Sequence, residues 1–209
     1  MQRSNKKDRK RLIKMISAII LAAGLSKRMK LGNKLLLEKN NVPIIKTTLE
    51  RVAASKVNEI IVVLGRDSSL IKNKVNDKRV KCIINKDYRN GISSSIKKGL
   101  KKVNKDNIGA MICLADMPLI KTSTYNQIIH SYYKNNRKNI IPYFENIRGN
   151  PVLFDKLYFK DLMEIEGDEG ARILIKKHPE IFFNLTVLDQ GIIKDIDDAN
   201  QYYEFLKNE

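Results

Sequence analysis

Residues 19–29 read IILAAGLSKRM: a solid apolar run ends in two alanines, a glycine, a serine and two bases within a few positions. The run begins upstream, in MISA at 15–18, and it does not alternate polar with apolar, which suits a strand buried on both faces. Its exit has two readings. One is an ordinary strand-to-loop turn with solvated bases. The other is a place where backbone N–H groups lie against an anion, because Ala22, Ala23 and Gly24 carry almost no side chain. In the second reading Arg28 and, past the loop, Lys34 offer charge to a triphosphate. The spacing is neither the Walker pattern nor the GxGxxG of dinucleotide folds.

Comparable β-branched runs recur at 59–64, 80–84, 108–114, 139–143 and 183–188. Helix-like patterns lie between them. The one at 43–55 starts with Pro43 in the first turn, and those at 93–103 and 123–133 open on serine caps. Strand–helix alternation of this kind predicts an α/β fold: a three-layer α/β/α domain over 15–209 with a mainly parallel, twisted sheet. Ligands of such sheets bind beyond the carboxyl ends of the strands, so the residues after each strand carry the functional reading.

The chain has 209 residues, 43% of them hydrophobic, and a formal charge of +17. Residues 1–14 hold seven bases against one acid. They are expected to be a basic extension ahead of a start at Met15, with a nucleic-acid arm as the alternative reading. The remaining charge of +11 favours anionic partners such as nucleotides. No run approaches the roughly 20 apolar residues of a membrane helix, and the run at 16–23 is too short for a signal-peptide core with its cleavage site. A cytoplasmic protein without a membrane partner is expected. Cys82 and Cys113 sit in apolar runs without CxxC spacing and read as reduced, buried thiols.

Asp116 follows the run at 108–114 in LADMP. It is placed either to hold Mg²⁺, which takes one or two carboxylates plus substrate phosphates, or to start a turn before Pro118. In KDIDDAN, Asp195 and Asp197 point the same way if the segment is extended, while Asp197 or Asp198 is placed to cap a last helix, ANQYYEFL. NGISSSIKKGL sets Gly91, Ser93, Ser94 and Ser95 at a helix start, either an anion site through free N–H groups or a plain cap. RGNPVLF puts Arg148, Gly149 and Pro151 on a turn, and GDEGARILI puts Asp168 and Arg172 at another helix start. Both suit either substrate contact or a buried Asp–Arg pair. His130 and His178 lack partners at ligand spacing and read as surface residues.

Taken in order, LAAGLSKRM…NKLLL, NGISSSIKKGL, LADMPLI, RGNPVLF, GDEGARIL and DIDDANQY resemble the motifs of the molybdenum cofactor cytidylyltransferase family, over about residues 15–207. The resemblance implies a Rossmann-like nucleotidyltransferase fold and Mg²⁺-dependent transfer of CMP from CTP to molybdopterin with release of pyrophosphate. It assigns Leu21, Ala22, Ala23, Gly24, Ser26, Arg28 and Lys34, with Gly91, Ser93 and Ser94, to the nucleotide. Arg28, Lys34 and Asp116 would be catalytic, and Asp116 and Asp197 would hold the metal. Arg148, Gly149, Asn150, Pro151, Asp168 and Arg172 would face the acceptor. A molybdenum hydroxylase is the candidate recipient of the product. The sibling guanylyl-transferring family typically reads LAGG where this chain has LAAG, so Ala23 leans the reading toward CTP. Two departures from the family pattern stand out: the path to Lys34 is one residue longer, with its glycine at Gly32, and Asp198–Ala199 replace the usual threonine and proline. Rival readings are a same-fold enzyme with GTP or another phosphorylated acceptor, such as a sugar phosphate, and a basic nucleic-acid-binding protein. The latter lacks any aromatic stacking motif or helix-turn-helix pattern.

Overall fold

The computed structural model describes residues 15–75 and 77–207, so the basic extension at 1–14 lies outside the described residues. The strands are β1 (Met15–Ala22), β2 (Glu38–Lys39), β3 (Val42–Pro43), β4 (Glu59–Leu64), β5 (Val80–Ile84), β6 (Asn107–Leu114), β7 (Asn139–Phe144), β8 (Ile147–Arg148), β9 (Val152–Asp155) and β10 (Phe182–Thr186). The helices are α1 (Ile44–Ala53), α2 (Ser68–Lys74), α3 (Ile92–Leu100), α4 (Thr122–Lys134), α5 (Phe159–Glu164), α6 (Arg172–Lys177) and α7 (Ala199–Lys207). The main sheet has the order β10-β7-β9-β6-β1-β4-β5, with β8 paired to β7, while β2 and β3 form a small separate hairpin. All main-sheet pairs are parallel except those made by β8 and β9. The mainly parallel expectation holds; the antiparallel β9 was hidden in RGNPVLF, where four residues are too few to show a period.

The unbroken apolar run of β1 is explained by the layers on either side. Ile16, Ala18, Ile20 and Ala22 pack in one core cluster with Leu49 and Val52 of α1 and with Ile128 and Tyr132 of α4. Ile19 and Leu21 pack in a second cluster with Ile96 and Leu100 of α3, Leu162 of α5 and Leu174 of α6. Each fully buried isoleucine contributes about 1.5–3 kcal/mol, so both faces of the strand must be apolar. Helix α3 lies close on β1 because Gly99 has no side chain; a Cβ there would meet Ile19 Cγ2 at 2.4 Å.

At the amino end of the strands a polar group interrupts the core. Ser17 Oγ donates to Glu59 Oε2 at 2.6 Å, Asn107 Nδ2 donates to both, and Lys81 Nζ caps Glu59 Oε1 at 2.6 Å. Burial alone would raise the Glu59 carboxyl, but the Lys81, Ser17 and Asn104 donors hold it below its ordinary value.

The serine caps predicted for two helices are corrected. Helix α3 begins at Ile92 with Gly91 as its cap, and the Ile92 N–H donates to Asp168 Oδ1 at 3.2 Å. Helix α4 is capped from a distance: Asp189 Oδ2 accepts from Lys121 N at 2.8 Å and from Thr124 Oγ1 at 2.6 Å. At α3 a distant acid takes a first-turn N–H, while at α4 it holds the cap residue's N–H and a first-turn hydroxyl. Cys113 is buried, whereas Cys82, on the edge strand β5, is only half-buried. Among the described residues no helix is long and apolar enough to cross a membrane.

Candidate active site

From β1 the chain moves to β4 and β5 on one side and returns to β6 on the other. The carboxyl ends of β1 and β6 therefore flank the crevice where strand order reverses, which is where such sheets bind ligands. A cleft of about 470 Å³ opens there. Leu21, Ala23, Gly24, Ser26, Arg28 and Lys34 line one wall, Gly91 and Ser95 another, and Asp116, Asp195 and Asp197 the base of a third.

The first loop is held by its own chemistry. Ser26 takes φ 50°, and its carbonyl accepts from Met29 N at 3.2 Å, while the Met29 side chain is buried as an anchor. The Leu25 carbonyl accepts from Arg66 Nη1 at 2.8 Å. The longer path to Lys34 closes through Gly32, at φ 105°, and then Asn33. Asn33 Oδ1 accepts from Leu35 N at 3.1 Å and its Nδ2 donates to Asp67 Oδ2 at 2.9 Å, which starts a single 3₁₀ turn. That turn drives Lys34 inward, to 8% exposure. The Ala23 methyl faces Gly65, where a Cβ would lie 2.8 Å from it.

The acidic side is assembled from two distant segments. Ile196 N donates to the Asp116 carbonyl at 3.0 Å, which ties the tail to the end of β6. Asp198 and Gln201 form a reciprocal cap on α7: Gln201 N donates to Asp198 Oδ1 at 2.9 Å, and Gln201 Oε1 accepts from Asp198 N at 3.1 Å and from Asp197 N at 2.7 Å. With Asp198 serving the helix, the Asp197 carboxylate is left to the cleft. Lys34 Nζ contacts both Asp116 Oδ2 and Asp197 Oδ1, and Arg28 Nη2 contacts Asp197 Oδ2. Burial alone would lower the Lys34 ammonium, but the two carboxylates hold it above its ordinary value. Burial likewise works against the Asp197 charge, yet Lys34 and Arg28 keep that carboxyl low. Asp195 is pushed up, first by burial and then by the neighbouring Asp197 and Asp116 charges.

These acids suit a hard divalent cation. Asp116, Asp195 and Asp197 can each offer an oxygen within 4.8 Å of the others, and Asp116 Oδ1 is buried without a hydrogen-bond partner among the described residues. An all-oxygen donor set with an unused buried oxygen fits Mg²⁺ or Mn²⁺.

The structure gathers most of the residues expected from the sequence and moves others. Ala22 is a core residue, 1% exposed, because it is the last inward position of β1. Ser93 and Ser94 face a different hollow, and Ser95 takes the place expected of them, because helix phase from Ile92 puts the residue three further on over the cleft. The first-turn N–H groups of α3 are also taken, by Asp168, by the Gly167 carbonyl and by the Gly91 carbonyl, so they offer no anion site. Arg148, Gly149, Asn150, Asp168 and Arg172 line a side cleft of about 170 Å³ that shares Ile92, Leu114 and Asp168 with the main one. Pro151 lines neither, being buried at the head of β9. Asp195, Tyr88 and Arg89 line the main cleft and were not assigned to it from the sequence. Only the i, i+2 spacing of the two tail acids signalled Asp195. His130 and His178 are both exposed, as expected.

The profile of the MobA-like NTP transferase domain matches residues 18–181, most of the chain. The chain belongs to the MobA-like NTP transferase family. Nicotine blue oxidoreductase of Paenarthrobacter nicotinovorans is 24% identical over 198 residues, covering 91% of this chain and 96% of that protein. Molybdenum cofactor cytidylyltransferase of Escherichia coli K12 is 27% identical, covering 90% and 93%. A probable UDP-N-acetylglucosamine pyrophosphorylase of Acanthamoeba polyphaga mimivirus is 31% identical, covering 88% and 77%. Among solved structures, the manganese complex of Rv0371c from Mycobacterium tuberculosis H37Rv superposes with a TM-score of 0.81 at 22% identity, covering 93% of this chain and 99% of that one. The fold is the Rossmann-like fold of nucleotidyltransferases, and family membership together with the cleft makes this chain a nucleotidyltransferase enzyme.

Proposed function

We propose that the chain transfers CMP from CTP to the terminal phosphate of a molybdopterin-type acceptor, releasing pyrophosphate with Mg²⁺ bound at Asp116 and Asp197. The observation that carries this reading is the meeting of a small-residue basic loop with three carboxylates at one topological switch point. The loop backbone at Ala23 and Gly24 admits the phosphates closely, and Arg28, 74% exposed on its side chain, reaches into the cleft mouth to bind them. Asp116 and Asp197 would hold the cation, with Asp195 close enough to offer a further oxygen, and the cation would neutralise charge on the triphosphate when bound.

In the reaction an oxygen of the acceptor phosphate forms a bond to the α-phosphorus while the bond to the bridging β-phosphate oxygen breaks, and that electron pair leaves with pyrophosphate. The attacking oxygen is already ionised at neutral pH, so no general base is needed. That agrees with a cleft lined by no histidine among the described residues. The protein's work is positioning and charge: Lys34 and Arg28 offset charge on the leaving pyrophosphate, and the loop holds the α-phosphorus in line. The side cleft with Arg148, Gly149, Asn150, Asp168 and Arg172 would seat the acceptor. The lean to CTP rests on Ala23 in LAAG, and the cytidylyltransferase relative supports it. A sugar-phosphate acceptor is the second reading, favoured by the 31% identity to the pyrophosphorylase relative.

Pyrophosphate release is measured with CTP or GTP against molybdopterin and against N-acetylglucosamine 1-phosphate. CTP with molybdopterin is expected to be fastest, and Asp116→Ala to lower turnover at least about a thousandfold with the fold intact. Faster turnover with the sugar phosphate overturns the acceptor. Near-normal turnover in Asp116→Ala overturns the site.

A further inference from the structure

A second hollow of about 460 Å³ lies on the far side of the start of α3 from the catalytic cleft. Its floor is one face of that helix. Ser93, Lys97 and Lys101 follow one another at four-residue steps, with Ser94 and Lys98 alongside. Two of the polar side chains in it are spent on the protein. Asn85 Nδ2 donates to Ser94 Oγ at 2.9 Å, and Ser94 Oγ donates to the Gly91 carbonyl at 2.8 Å. Ser93 is different: it is 3% exposed and lines the hollow, and its hydroxyl makes no hydrogen bond among the described residues. Its oxygen is therefore free to take a ligand from the hollow.

The lysines show the same lack. Lys97, Lys98 and Lys101 form no ion pair among the described residues, although like charges at these spacings disfavour the helix. Asp87 and Glu166 also border the hollow, so three ammonium groups against two carboxylates leave one net positive charge. That balance suits a single phosphate group and does not suit a polyphosphate or a nucleic-acid backbone, whose further charges would meet the carboxylates. We infer that this hollow is a binding site for a phosphomonoester, whose acceptor-only oxygens take the Ser93 hydroxyl and the Lys97 and Lys101 ammonium protons. The site shares a wall with the catalytic cleft: Gly167 lines the hollow, and its neighbour Asp168 lines the cleft while holding the Ile92 N–H.

The test is titration of the full-length, isotope-labelled protein with inorganic phosphate, read at individual backbone amides. Because phosphate can also enter the catalytic cleft, Lys34→Gln is the control that weakens that cleft alone. Saturable shifts are expected at Ser93, Ser94 and Lys97, kept in Lys34→Gln, weakened about tenfold in Lys97→Gln and more modestly in Ser93→Ala. Amides at 93–97 that stay still while those of the catalytic loop respond would overturn the inference. So would loss of their shifts in Lys34→Gln, or stronger binding of a single-stranded RNA oligonucleotide than of phosphate at these amides.

Discussion

Lys34 bridges two of the three acids proposed to hold a cation, and this makes a quantitative prediction. Its ammonium bridges Asp116 and Asp197 at 8% exposure of the residue, so a divalent ion entering the acid cluster must first displace it. Each charge-assisted contact is worth about 1.5–3 kcal/mol. The carboxylates keep 17% and 19% of their side-chain surface, so water recovers part of that loss. A net competition of about 1.4 kcal/mol remains, or about tenfold in affinity. Lys34→Met should therefore bind Mn²⁺ about ten times more tightly than the unchanged protein when no nucleotide is present, as measured by paramagnetic resonance of the free ion. With nucleoside triphosphate added, the order should reverse in turnover: the variant's KM for nucleotide rises because the phosphates lose a partner. Unchanged Mn²⁺ affinity in Lys34→Met would refute the competition, since it would mean that the ammonium does not guard the acids.

Three further outcomes concern stability. Glu59 has its carboxyl held low by Lys81, Ser17 and Asn104, so its contribution is present above the unfolded carboxyl value near 4.5 and is lost as pH falls through the lower folded value. Urea unfolding of Glu59→Gln should show a deficit of about 1 kcal/mol at neutral pH that shrinks toward zero in strong acid. Gly99→Ala gains about 1 kcal/mol of helix propensity but sets a methyl 2.4 Å from Ile19 Cγ2 and 3.2 Å from Val63 Cγ2. Overpacking costs about 1–3 kcal/mol, so calorimetry should show a lower Tm, not a higher one. Asp198→Ala removes the α7 cap and should cost about 1 kcal/mol, seen as a Tm lower by a few degrees, with Mn²⁺ affinity changed less than in Asp197→Ala.

The sequence alone determined the parts of this protein whose meaning is local. Strands buried on two faces announce themselves as unbroken apolar runs, and β1, β4 and β6 were readable for that reason. Asp116 stood out because an acid just past a strand's carboxyl end is placed by chain direction alone, whereas Asp197, well beyond the end of β10, was assigned only through the family resemblance of DIDDANQY. What a residue does through a distant partner was not readable. The α3 N–H groups looked available until the fold brought Asp168, 76 positions away, onto Ile92. Ser95, not Ser93 or Ser94, faces the cleft because helix phase depends on a start at Ile92, and that start is permitted by Gly91, at φ 90°, where a Cβ would strike Gly167. Only the tertiary structure placed Lys34 between two acids 82 and 163 residues further on, because electrostatic partnership depends on distance in space and a linear sequence carries none.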